Sequence, residues 1–412
     1  MRPLVILIVV LLAPAAHAED SALVALRLTL LPMRAQPHAH EAARGATARM
    51  TVAKHRLRRW VETRLSGFPQ DGDEAAFVRR MNDELARARL FCEADGAVVE
   101  ESCDKASSER LASNLGYLHP LKAMRRGRGV LVVETGFAIL CGNDASAYAY
   151  EWRSGRWRRF WQSERRPGAA GRYAPQSLND VLVANLAGEA AGDRLVLTLG
   201  RQEWCSSFWQ RVYYRLWRTH SGGRRRTARL LLERAETAYL SDVDGPLRGR
   251  LEPTGAWIEF MTDSIDGDVN FRGAVRHYRI VDDGVTLVEP IALRPREFIE
   301  EWIAHPWPAS ARWSQPASPP ALRRRHRALH GKRVSGSFLG PTLRCDPATH
   351  WQVGFRFERR GRSDSPTYFI VQWRPAYGFS VVDVLDHPRA DCRGEDAHVD
   401  DFRRLIPVAP GR

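Results

Sequence analysis

Four acidic side chains, Glu259, Asp263, Asp266 and Asp268, sit within ten residues of one another. Two carboxylates at a defined separation can hydrolyse a glycosidic bond, one as acid and the other as base or nucleophile. This group is therefore the catalytic candidate of the chain, and a secreted, glycosidase-like hydrolase is the alternative function it suggests. Asp266, Asp268 and Asn270 also imitate the opening of a calcium loop. The EF-hand template then fails, because Phe271 stands where glycine is required and His277 where the bidentate glutamate belongs. Ordinary polar turn chemistry accounts for the same residues, and for Asp242 to Gly245.

A second constellation is aromatic and basic. Trp209, Arg211, Tyr213, Arg215 and Trp217 occupy alternate positions, so in a strand they share one face. Rings interleaved with guanidinium groups can stack on sugars or hold a polyanion. The same pattern also arises where arginine stems cover tryptophans on an ordinary exposed sheet. A third is the basic run Arg323, Arg324, Arg325, His326 and Arg327, followed by Lys332 and Arg333. It suits an acidic envelope polymer or an anionic surface, and equally a solvated helix face.

Other chemistry is weakly marked. His38, His40 and Glu41 do not form a zinc motif. No nucleophile elbow, phosphate loop or dinucleotide fingerprint is present. No cofactor and no metal is indicated. The function expected is a non-catalytic binding or envelope-associated module, with a glycan or acidic envelope polymer as partner and nucleic acid disfavoured.

The compartment is read from the amino terminus and the cysteines. Arg2, an apolar run from Leu4 to Leu12 and the small residues Ala16 and Ala18 resemble a secretory signal over residues 1–18. The run is too short to span a bilayer. Cys92, Cys103, Cys141, Cys205, Cys345 and Cys392 all follow it, and an even count in an exported chain favours disulfides. Sequential pairing, Cys92–Cys103, Cys141–Cys205 and Cys345–Cys392, keeps each bridge within one segment. The protein is expected to be periplasmic or secreted.

These residues must be positioned by a chain of 412 residues with a formal charge of +14. Lysine is only four of its 62 basic residues, so the excess is arginine and is spread along the chain. Residues 19–127 are expected to be a helical N-terminal segment. Within it Val52, Leu57, Trp60, Val61 and Leu65 form an apolar stripe, and Asp71 or Asp73 can cap a second helix. Residues 128–295 switch to period two and read as an antiparallel β domain. Its sharpest signal is a hairpin turning at Ser154 and Gly155. That loop predicts Trp152 opposite Trp157, Glu151 beside Arg158, and Tyr148 opposite Trp161. Residues 296–333 hold a short linker helix and a proline-rich, basic junction, and 334–412 form a C-terminal β segment. The fold expected is mainly β, with antiparallel sheets arranged as a propeller or a sandwich.

Overall fold

A computed structural model of the protein describes residues 21–34, 46–91, 116–127, 129–139, 142–164, 177–186, 193–202, 209–220, 227–239, 247–264, 271–281, 284–288, 292, 294–315, 319–330, 335–359, 362–374 and 378–393. The fold is mainly β, built from antiparallel sheets behind an N-terminal helical segment. It divides into two units. The first holds residues 1–207 and 211–234, the second 208–210 and 235–412.

The first unit is layered. Helices α1 (residues 21–34), α2 (Ala46–Leu65) and α3 (Glu74–Arg87) cover one face of a four-stranded sheet. That sheet is β1 (Leu118–Arg125), β2 (Val130–Ile139), β3 (Gly142–Arg153) and β4 (Arg156–Gln162), in sequence order. Its other face meets β5 (Ser177–Asn185), β6 (Arg194–Gln202) and β7 (Trp209–His220) through Val132, Ala149, Phe160, Trp161, Val181 and Val196. Two sheets packed face to face in this way are sandwich packing. The chain passes into the second unit within β8 (Thr227–Tyr239).

Helix signals were largely local. Asp73 is the N-cap of α3, its carboxylate accepting from the Ala76 N–H at 3.1 Å. On α2 the buried stripe is Met50, Ala53, Leu57, Trp60, Val61 and Leu65, whereas Val52 is exposed. Strand β1 lies in the segment expected to be helical. It is an edge strand with Pro120 at a register shift between His119 and Lys122, which hides any period-two pattern.

The β3–β4 hairpin turns at Ser154 and Gly155, both at positive φ. Trp152 lies opposite Trp157 and Glu151 opposite Arg158, as the loop predicts. Tyr148 is instead opposite Gln162, because a bulge between Ala149 and Tyr150 shifts the register. Neighbouring strand residues normally face opposite ways. The bulge lets Phe160 and Trp161 both enter the core between the two sheets.

In the second unit, β9 (Arg248–Glu252), β10 (Gly255–Asp263), β11 (Phe271–Val281) and β12 (Gly284–Val288) pair antiparallel in chain order. Helix α4 (Pro295–Ala304), the short α5 (Trp307–Ser310), a 3-10 turn and α6 (Pro319–Leu329) follow. A second sheet comprises β13 (Ser335–Phe338), β14 (Leu343–Cys345), β15 (His350–Arg359), β16 (Arg362–Ser363), β17 (Thr367–Arg374) and β18 (Gly378–Leu385). Phe298, Trp302, Trp313 and Leu322 pack against Trp351, Phe355, Phe369 and Phe379 to form this unit's core. Cys345 and Cys392 are joined by a disulfide, with the sulfurs 2.03 Å apart. Cys92, Cys103, Cys141 and Cys205, and the expected signal segment, lie outside the described residues. No described helix is long and apolar enough to cross a membrane.

Candidate functional site

The aromatic and basic residues of β7 are placed by its alternation. Val212, Tyr214 and Leu216 are fully buried on one face. Along the other face exposure falls from Arg211 to Arg215. Arg211 is exposed, Tyr213 is half-buried and Arg215 is buried. Trp217 packs edge-on against Trp161, ring centres 6.3 Å apart, and joins the core between the sheets. The side chain of Trp209 lies outside the described residues.

The exposed end of this face is a compact arrangement. The guanidinium groups of Arg211 and Arg215 each lie 5.9 Å from the centre of the Tyr213 ring. The Tyr213 hydroxyl donates to Gln202 Oε1 at 2.9 Å. Across the ladder Tyr213 faces Gly200 and Arg211 faces Gln202. Glycine is required at 200, since a Cβ there would lie 2.4 Å from the carbonyl oxygen of Ser177. Arg215 is held by Glu233, its Nε donating to Oε1 at 3.0 Å. Arg211 has no carboxylate partner among the described residues. One guanidinium is thus fixed as support and its neighbour is left to meet solvent.

The acidic candidates are less gathered. Glu259 is half-buried and Asp263 exposed, both on the same face of β10. Four residues of strand set their Cα atoms about 13 Å apart. Glycosidase carboxyl groups stand about 5–10 Å apart, so this pair would have to lean together. Asp266 and Asp268 lie outside the described residues. Among the described residues no group of three His, Cys, Asp or Glu is placed to hold a metal ion.

A further polar cluster is more tightly built. Glu297, Glu300 and Glu301 of α4 are all buried. Arg272 on β11 reaches Glu301 at 2.6 Å and Glu300 at 3.4 Å. Arg276, also on β11, pairs with both oxygens of Glu236, at 3.1 and 2.7 Å, and lies 3.4 Å from Glu301. Ser264 donates to Glu300 at 3.1 Å. Burial would raise the Glu301 carboxyl, but Arg272 and Arg276 outweigh it and hold it below the usual range. Glu297 differs. It accepts one bond, from the Gly273 N–H at 3.2 Å, and Arg294 stands 3.9 Å away. Its other oxygen is buried without a partner among the described residues. Burial pushes its carboxyl up to about 7, against Arg294 and Arg272.

Two carboxyls driven apart in pKa are a familiar acid and base pairing. Here both are enclosed by protein groups, so the cluster seats α4 on the sheet and is not open to a substrate.

Compared with protein-family models, curated proteins and solved structures, the chain matches none. The α4 cluster is what reading the sequence missed. Its signal is nevertheless present. Apolar Phe298, Ile299, Trp302 and Ile303 interleave with the three glutamates, so a helix buried on the first set buries the second as well.

Proposed function

We propose that the protein is an exported, non-catalytic binding module for an acidic glycan or similar envelope polymer, and that Arg211 and Tyr213 belong to its contact surface. The observation that carries this is the exposed Arg211 guanidinium beside the Tyr213 ring, with no carboxylate partner among the described residues. Arginine meets carboxylate and sulfate groups through paired, charge-assisted hydrogen bonds. A half-buried ring beside it offers a sugar an apolar surface. Gln202, exposed and bonded to the Tyr213 hydroxyl, adds amide donors at the same edge. Export is supported by the signal-like N-terminus and by the Cys345–Cys392 bridge.

The test is binding of the full chain to polygalacturonate, with neutral dextran as the control, over a salt series. The acidic polymer should bind and dextran should not, and affinity should fall as salt rises. Arg211→Ala and Tyr213→Ala should each weaken binding about tenfold, the scale of one charge-assisted contact. Unchanged affinity in both variants would refute the assignment.

A further inference from the structure

The arginine run lies on α6, and we propose that its exposed face, Arg323, Arg324 and Arg327, is a second contact surface for an acidic polysaccharide. The choice of partner chemistry rests on the reading above; the residues and the element are independent of it.

The helix is pinned from below. Leu322, His326 and Leu329 are buried against the second unit's core. His326 Nε2 lies 3.0 Å from the carbonyl oxygens of both Trp302 and His305. Carbonyls only accept, so this nitrogen carries the hydrogen and donates to both. His330 Nδ1 likewise donates to the Ile303 carbonyl at 2.8 Å. These carbonyls end α4, so the histidines satisfy groups the helix itself cannot. The rotation of α6 is thereby set.

At about 100° per residue, Arg323, Arg324 and Arg327 fall within one arc of roughly 100°, away from the buried side. All three are exposed, and none has a carboxylate partner among the described residues. Arg325 is turned aside and bonds Asp386 at 2.8 Å. The helix contains no acidic residue to offset the others. Arg327 lies in the last turn, where a cation favours the helix dipole. Arg323 and Arg324 lie earlier in the helix, where the dipole does not favour a cation. Like charges three and four residues apart destabilise a helix, so the pairs 324/327 and 323/327 work against folding.

The chemistry of the face selects its partner. Its exposed apolar side chains are Pro320, Ala321 and Ala328, so it lacks the Trp, Phe or Leu that interfacial helices bury in an acyl layer. It carries no aromatic ring on which a base could stack. Three guanidinium groups on one rigid turn match a polymer with closely repeated carboxylate or sulfate groups.

The test uses the full chain with polygalacturonate, vesicles containing phosphatidylglycerol, and a single-stranded DNA oligonucleotide. Arg323→Gln, Arg324→Gln and Arg327→Gln are combined, and Arg325→Gln is the control. The triple variant should bind polygalacturonate at least about tenfold more weakly. Its log affinity against log salt should be shallower by about 2, the loss expected for three released counterions on a flexible chain. Circular dichroism checks the helix; if it is lost, single variants replace the triple and their slope changes are summed. The proposal is overturned if affinity and slope are unchanged, if Arg325→Gln has an equal effect, or if vesicles or DNA bind more tightly than the glycan. Loss confined to the Arg211 and Tyr213 variants would overturn this surface and leave the first one standing. Loss confined to the α6 variants would do the reverse.

Discussion

Glu297 is a carboxyl whose protonation the second unit must accommodate. Its carboxyl is pushed up to about 7 by burial, above the ordinary value of 4.5. A group protonated more readily in the folded state stabilises the fold at low pH. That contribution is lost between about pH 4.5 and 7, on the order of 3 kcal/mol in all. Glu301 acts in the opposite sense. Its lowered pKa gives stability above 4.5 that disappears as pH falls through the folded value. Glu297→Gln keeps the acceptor for the Gly273 N–H and cannot ionise. His277 and His326, whose pKa values burial lowers, act in the opposite sense over the same range, so the Glu297 contribution is read as a difference: in urea unfolding the midpoint of the variant should rise relative to wild type between pH 5 and 7.5. Equal slopes would show that Glu297 is not the group responsible. None of this follows from residue types alone. The sequence shows three glutamates on a helix, but which of them meets Arg272 and which meets the Gly273 N–H depends on β11.

At the scale of elements, α2 carries a charged row that the apolar stripe conceals. Lys54, Arg58 and Glu62 recur every four residues on the side facing the sheet. They meet Asp144, Glu164 and Arg159, each at 2.6 Å. Lys54 and Asp144 are the most enclosed pair, with 15% and 3% of their side chains exposed. Asp144 keeps a further partner, so Lys54→Met should cost about 1.5–3 kcal/mol, the scale of one hydrogen bond to a charged group. Lys54→Met with Asp144→Leu should recover most of that loss in a double-mutant cycle. Additive losses would mean that the pair is not coupled. The hairpin loop, the Asp73 cap and most strands were legible because their causes lie within a few residues. The bulge at Ala149, the edge strand β1 and the fate of Trp217 were not. Each depends on which second layer covers the strand: Trp217 reads as a surface aromatic until Trp161 is placed beside it.

Over the whole molecule, ion pairs occupy many arginines but leave the excess of +14 in place. Arg64, Arg126, Arg194, Arg272 and Arg276, among others, are paired with carboxylates at 3 Å or less. Arg211 and the α6 row are among the exposed arginines left without a carboxylate among the described residues. One disulfide makes stability sensitive to redox conditions. The Cys345–Cys392 bridge closes a span of 47 residues that contains β15 to β18. It packs with Ile370 in a small separate cluster, and nearby the Arg389 N–H donates to Gln352 at 2.7 Å. In the loop-entropy model a span of that length contributes about 4 kcal/mol. Cys345→Ala with Cys392→Ala should lower the second unit's unfolding free energy by roughly that amount, as followed by urea titration of tryptophan fluorescence. Wild type in reductant should then approach the double variant. If the variant keeps the wild-type midpoint, the bridge does not hold this sheet. If it loses about 4 kcal/mol, much of a typical domain's margin depends on an oxidising compartment. The export proposed from the N-terminus then acquires a thermodynamic reason, since a reducing cytosol would leave the C-terminal sheet without its tie.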